Sequence, residues 1–274
     1  MNIVTRNLLR LLRAGVFDYE ESVEPMSAWK WRRVYEVCVE QGVVCQALTG
    51  ITRLQNQFFL QIPSEQMEAW QKSRAEQSSK TPTATDEDSQ SVLTNRQNRH
   101  AYKGIVKQAE LFPGETALIN DAIRVAHHII GDGLFLAPLL LMAQTYRDCD
   151  TFDAEVYARY LHQLHMERMA HLESSLLLLL DPHPYEDIAS LPCPPLTDDS
   201  AAQLMFDALF DRRRGRGGQL HFTQNGNDIF IHTSNSRAML WQASRSAQYF
   251  RYYPSESITT LLYSFARSLT DIEE

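Results

Sequence analysis

Four arginines, Arg212, Arg213, Arg214 and Arg216, crowd one short stretch, joined by Gly215 and followed by Gly217 and Gly218. Guanidinium forks match phosphate and carboxylate oxygens, and a glycine-rich turn offers backbone N–H groups to an anion. These four residues are the candidate anion-binding site. The stretch is no phosphate-binding P-loop, because it lacks a Gly-Lys-Ser/Thr ending and a preceding strand. Net charge is −8, so the chain as a whole gives a nucleic-acid backbone no attraction.

Histidines supply the next chemistry. His127 and His128 are adjacent, so on a helix they face different ways, and one can turn toward a cleft beside Asp121 or Asp132. His127, His128 and Asp132 are the candidate pocket. His162, His165 and His171 fall in one long apolar-periodic run with Glu167 and Glu173 nearby. The pattern is not HExxH, and a metal would need further ligands from elsewhere, so no metal and no cofactor are expected. The four cysteines, Cys38, Cys45, Cys149 and Cys193, form no CxxC pair. That excludes a zinc ribbon or disulfide framework as an expectation and favours a reducing, cytoplasmic setting. No catalytic residue is assigned.

These groups must be positioned by helices. Leu8, Leu9, Leu12 and Val16 recur at helical spacing, while Arg6, Arg10 and Arg13 interrupt any signal-peptide core. A second helix is predicted from Ser27, with Trp31, Val34, Tyr35, Cys38 and Val39 on one face and Gly42 as its stop. Further helices are expected over 64–77, 95–110, 115–130, 134–146, 153–180 and 201–210, and after Ser255. The 134–146 segment is apolar nearly all round, which suits the centre of a bundle, and Pro138 and its length exclude a membrane span. Asn225-Gly226 between two partly alternating runs predicts one short hairpin near 220–232. The fold class is therefore mainly α: one helical domain over 1–274, with a flexible insert at 78–94 and a proline-rich connector at 182–195.

Three segments, in order, resemble a bacterial nucleotidyltransferase-like family associated with surface polysaccharides. They are WKWRRVYEVCVEQGVVCQAL from Trp29, HHIIGDGLFLAPLLLMAQTYRD from His127, and FRYYPSESITTLLYSFARSL from Phe250. Gln41 stands where that family often has His. The resemblance implies a small sheet between the first two segments, carrying a Lys-Gly segment and a metal-binding Asp pair. Here that interval reads as polar and helical. Its acidic run, Asp86-Glu87-Asp88, lies in the insert, and Lys103-Gly104 lacks strand-forming neighbours.

The resemblance without its carboxylate pair implies a non-catalytic helical protein, a degenerate relative of nucleotidyltransferases, acting through protein interactions. The expected partner is a second copy or another protein, using a helical face near the C-terminus. Two alternatives stand beside it. One is a nucleotidyl- or phosphoryl-transfer enzyme with an atypical site built from His127, Asp132 and the Arg212–Arg216 loop. The other is a nucleic-acid or anion-binding adaptor acting through residues 212–218.

Overall fold

Two helices that cross at glycines start the fold. α1 (Ile3–Phe17) packs most extensively on α3 (Val44–Arg53), with α2 (Ala28–Glu40) and α4 (Ser64–Ser78) flanking the pair. A computed structural model of the chain describes residues 3–78, 90–131, 133–149, 151–181, 191–198, 200–210, 221–224, 227–230, 244 and 247–270. Within these, α5 (Arg96–Val106), α6 (Pro113–Gly131), α7 (Leu136–Arg147), α8 (Ala154–Gln163), α9 (Glu167–Leu180), α10 (Ser200–Phe210) and α11 (Pro254–Thr270) complete a compact, mainly helical domain. The expected hairpin is present: β1 (His221–Gln224) pairs antiparallel with β2 (Asn227–Phe230), Gln224 opposite Asn227.

α1 is amphipathic, and its apolar face is fully used: Leu8, Leu9, Leu11 and Leu12 are buried. Its arginines are spoken for as well. Arg6 and Arg10 both donate to Glu24 at 2.8 Å, and Arg13 reaches Glu21 at 3.1 Å. Arg13 also donates to the Leu180 carbonyl at 2.7 Å, and Arg53 to that of Ala14 at 2.6 Å. Helix C-termini carry unsatisfied carbonyls and partial negative charge, so an arginine there caps and compensates at once. The basic stripe of α1 is thus an internal clamp. Among the described residues, no helix is long and apolar enough to cross a membrane.

α2 begins after Ser27 as expected, though the Ser27 side chain makes no capping bond. Gly42 ends it in the left-handed region at φ 67°. The buried face is Trp31, Val34, Val37 and Cys38, whereas Val39, expected there, is 48% exposed. No expectation covered α3. Its apolar residues follow Gly42 so closely that they read as a continuation of the turn.

α6 and α7 form the central pair. Leu136, Leu139, Leu140 and Met142 are buried, in line with the all-round apolar pattern. Asp121, buried on α6, accepts from Thr145 of α7 at 2.6 Å and from Arg124 at 3.1 Å, so it joins the two helices and is not free for a histidine. Gln41 accepts from the Leu136 backbone N–H at 3.1 Å and so satisfies the start of α7. The predicted single helix 153–180 is two helices. Leu164 ends α8, His165 takes φ 54°, and α9 starts at Glu167. The positive φ breaks the repeat that would have put His162 and His165 on one face.

Of the segment expected to be an insert, 79–89 lies outside the described residues, but its end is docked: Leu93 is buried and Thr94 is bonded to Glu256. Of the connector expected at 182–195, residues 182–190 lie outside the described residues; the chain that follows returns to α9, where Leu196 N–H donates to Ser175 Oγ at 2.8 Å.

Candidate interaction face

The closing helix α11 is held by one carboxylate. Glu256, in its first turn, is buried, and its Oε2 accepts from the Thr94 N–H at 2.8 Å and the Thr94 hydroxyl at 2.6 Å. The Asn95 N–H lies 3.2 Å from both carboxylate oxygens. Asn98 Nδ2 lies 2.9 Å from Glu256 Oε1, 3.0 Å from Ser255 Oγ and 3.1 Å from the Tyr253 hydroxyl. Asn95 in turn caps α5 through its own side chain, accepting from Gln97 N–H at 2.8 Å. The open N-terminus of α5 therefore receives an anion from α11, the favoured sign at that end of a helix dipole. Burial and the neighbouring Glu256 push the Tyr253 phenol well above its ordinary pKa, so it stays a neutral hydroxyl.

Pro254 begins α11 directly, where a proline's missing N–H costs nothing, so Ser255 lies inside the helix and is not its cap. The aromatic run before it packs inward: Tyr249, Tyr252 and Tyr253 are buried, while Phe250 is 46% exposed.

The helix is inverted in its first turns. Glu256, Ser257 and Thr260 face inward and are buried, whereas Ile258, Leu262 and Tyr263 are 47%, 61% and 63% exposed. An ordinary surface helix buries its apolar stripe and exposes its polar one. The Glu256 network explains the burial of Glu256 and Thr260, while the Ser257 hydroxyl is buried without a hydrogen-bond partner; the apolar outer face meets no such network among the described residues.

Beneath α11, one expected site residue borders a small cavity. His127, half-buried, lines a cavity of about 10 Å³ with Leu93, Ile123, Tyr253, Glu256 and Thr260. That is room for about one water molecule. His128 turns the other way and packs on Phe135 at 5.1 Å between ring centres. Asp132 and Arg212, Arg213, Arg214 and Arg216 lie outside the described residues.

Among the other histidines, the His162 and His165 rings meet edge to face at 6.4 Å between centres. His162 Nδ1 is 2.7 Å from Glu167 Oε1 on the surface, and His171 Nδ1 is 2.6 Å from the Pro194 carbonyl. Cys193 Sγ lies 3.1 Å from His171 Nδ1, a Cys–His pair that the sequence reading had not singled out. Its chemistry is quiet: burial, with Glu173 near, pushes the Cys193 thiol up to about 12, so almost no thiolate exists at neutral pH. Among the described residues, no group of three or more His, Cys, Asp or Glu is placed to hold a metal ion.

No family model, no curated protein and no solved structure matches this chain.

Proposed function

We propose that this protein is a non-catalytic helical protein that acts through protein interaction, and that its partner is a second copy of itself, bound through the outer face of α11. The observation that carries the reading is the inversion of that helix: Ile258 and Leu262, one turn apart, point to solvent while Glu256 and Thr260 point inward. A helix face of this kind packs well against its own two-fold copy, since residue i of one then meets residue j of the other and the reverse. Tyr263 supplies an aromatic side chain, a type enriched at interface cores, with Leu262 beside it as added apolar area.

Kinship with nucleotidyltransferases is part of the proposal and rests on the resemblance of the three segments in sequence alone.

Light scattering at tens of micromolar tests the reading. The native chain is expected to run above its monomer mass of 31.5 kDa. The double variant Ile258→Glu/Leu262→Glu is expected to run as a monomer with an unchanged circular dichroism spectrum, because both side chains are exposed. A native chain that is already monomeric at that concentration removes the proposal.

A further inference from the structure

A second surface feature lies on α2 and is not used by the fold. Trp29, Arg32, Arg33 and Glu36 line an open groove of about 210 Å³. Their spacing places all four on one helix face, since residues three and four apart are neighbours. Trp29 is 68% exposed, so its indole, the largest apolar side chain available, contributes little to the core. Trp31, two residues on, is fully buried and does the packing that α2 needs.

The charges are arranged with equal specificity. Arg33 is mostly covered, its side chain 12% exposed, and Nη1 is held by Glu36 at 3.1 Å. Arg32 is 73% exposed, and its Nε lies 3.4 Å from Glu36. An ion pair at that exposure adds little to stability. Two guanidinium groups face one carboxylate, so the groove carries net positive charge in a chain whose net charge is −8. An exposed indole beside one covered and one exposed guanidinium is the equipment for a planar ring and an anion together. Stacking on an aromatic face tolerates any base, and the arginine fork takes phosphate oxygens.

We propose that this groove is a binding site for a nucleoside monophosphate, with the base stacked on Trp29 and the phosphate taken by Arg32 and Arg33. Glu36 acts as a positioning residue that holds Arg33 in line. The site is independent of α11 and requires no transfer chemistry.

Isothermal titration calorimetry of the full chain with AMP tests it. Saturable binding is expected, with adenosine and inorganic phosphate each binding at least about tenfold more weakly than AMP, because each offers one half of the contact. Trp29→Ala and Arg32→Ala are each expected to weaken AMP binding by about tenfold, within the range that one stacked base or one phosphate contact supplies. Both side chains are exposed, so both variants should fold; an unchanged melting temperature checks this. Arg159→Ala, which removes the same charge from an exposed site on α8, should leave the affinity unchanged. Absence of heat at millimolar AMP overturns the proposal. So does equal affinity for AMP and phosphate, which would mark a diffuse anion site, and so does binding that neither variant weakens.

Discussion

Gly15 of α1 and Gly50 of α3 are seated reciprocally against each other's helix. A Cβ on Gly15 would collide with the backbone carbonyl of Gln46, and one on Gly50 with that of Leu11. The atoms in the way are backbone, so no rotamer change makes room. The two helices approach at the distance that only a missing side chain allows, and Leu8, Leu12, Ala47 and Ile51 close around the crossing as buried core.

The same substitution should therefore have opposite signs at different glycines. Gly15→Ala or Gly50→Ala forces α1 and α3 apart and is expected to lower stability by about 3 kcal/mol, the cost of overpacking offset only in part by better helix propensity. Gly104 sits within α5 with open space where its Cβ would be. Gly104→Ala is expected to raise stability by about 0.5–1 kcal/mol. Urea unfolding of the three variants decides the matter; a stabilised Gly50→Ala would show that the crossing is looser than described.

Glu256 should be the residue on which the docking of α11 depends. Removing its carboxylate leaves the Thr94 and Asn95 N–H groups without their acceptor and takes one of three acceptors from the Asn98 amide. Glu256→Ala is expected to cost about 3 kcal/mol. Hydrogen exchange should rise at the start of α5 and over the first turns of α11 before it rises in α6. Asn98→Ala combined with Glu256→Ala should cost clearly less than the sum of the two, because they share one network. Full additivity would contradict that network.

Two carboxyl groups give stability opposite pH dependences. Glu24, bonded to Arg6 and Arg10, is held down to about 2. A depressed folded pKa contributes stability above the ordinary carboxyl range that is lost as pH falls toward 2, so Glu24→Gln should flatten the acid limb below pH 4.5. Glu173 is the reverse: it is fully buried, neither carboxyl oxygen has a hydrogen-bond partner among the described residues, and burial raises its pKa well above the ordinary value. The folded chain keeps its proton while the unfolded chain loses it above about pH 4.5, so stability falls as pH rises. Glu173→Gln should then be more stable than the native chain at pH 8 and closer to it at pH 4. Thermal melts across that range test both arms, and a Glu173→Gln variant less stable at pH 8 than at pH 4, relative to native, would contradict the second.

Much of the helical order was written in the chain itself. Apolar residues at three and four residue spacing placed α1, α6 and α7, Gly42 stopped α2, and Asn225-Gly226 placed the hairpin, because each of these depends on local conformational preference and on burying one stripe. The break at His165 was not legible, since an apolar period continues in phase across one residue of positive φ. Nor was the role of Gly15 and Gly50, which as isolated residues look like weak points in two helices and acquire meaning only where the helices cross. The polar inner face of α11 is of the same kind. Glu256 reads as a solvent-facing first-turn acid until the start of α5, 162 positions away at Thr94, is brought against it. His127 and His128 were visible as chemistry-bearing types, but the size of the space beside them is set by how Leu93, Tyr253 and Thr260 pack, and that packing leaves about 10 Å³. Local sequence determines which segments form helices; which faces end up inside is settled by partners far along the chain, whose desolvated hydrogen bonds and backbone clearances no local pattern encodes.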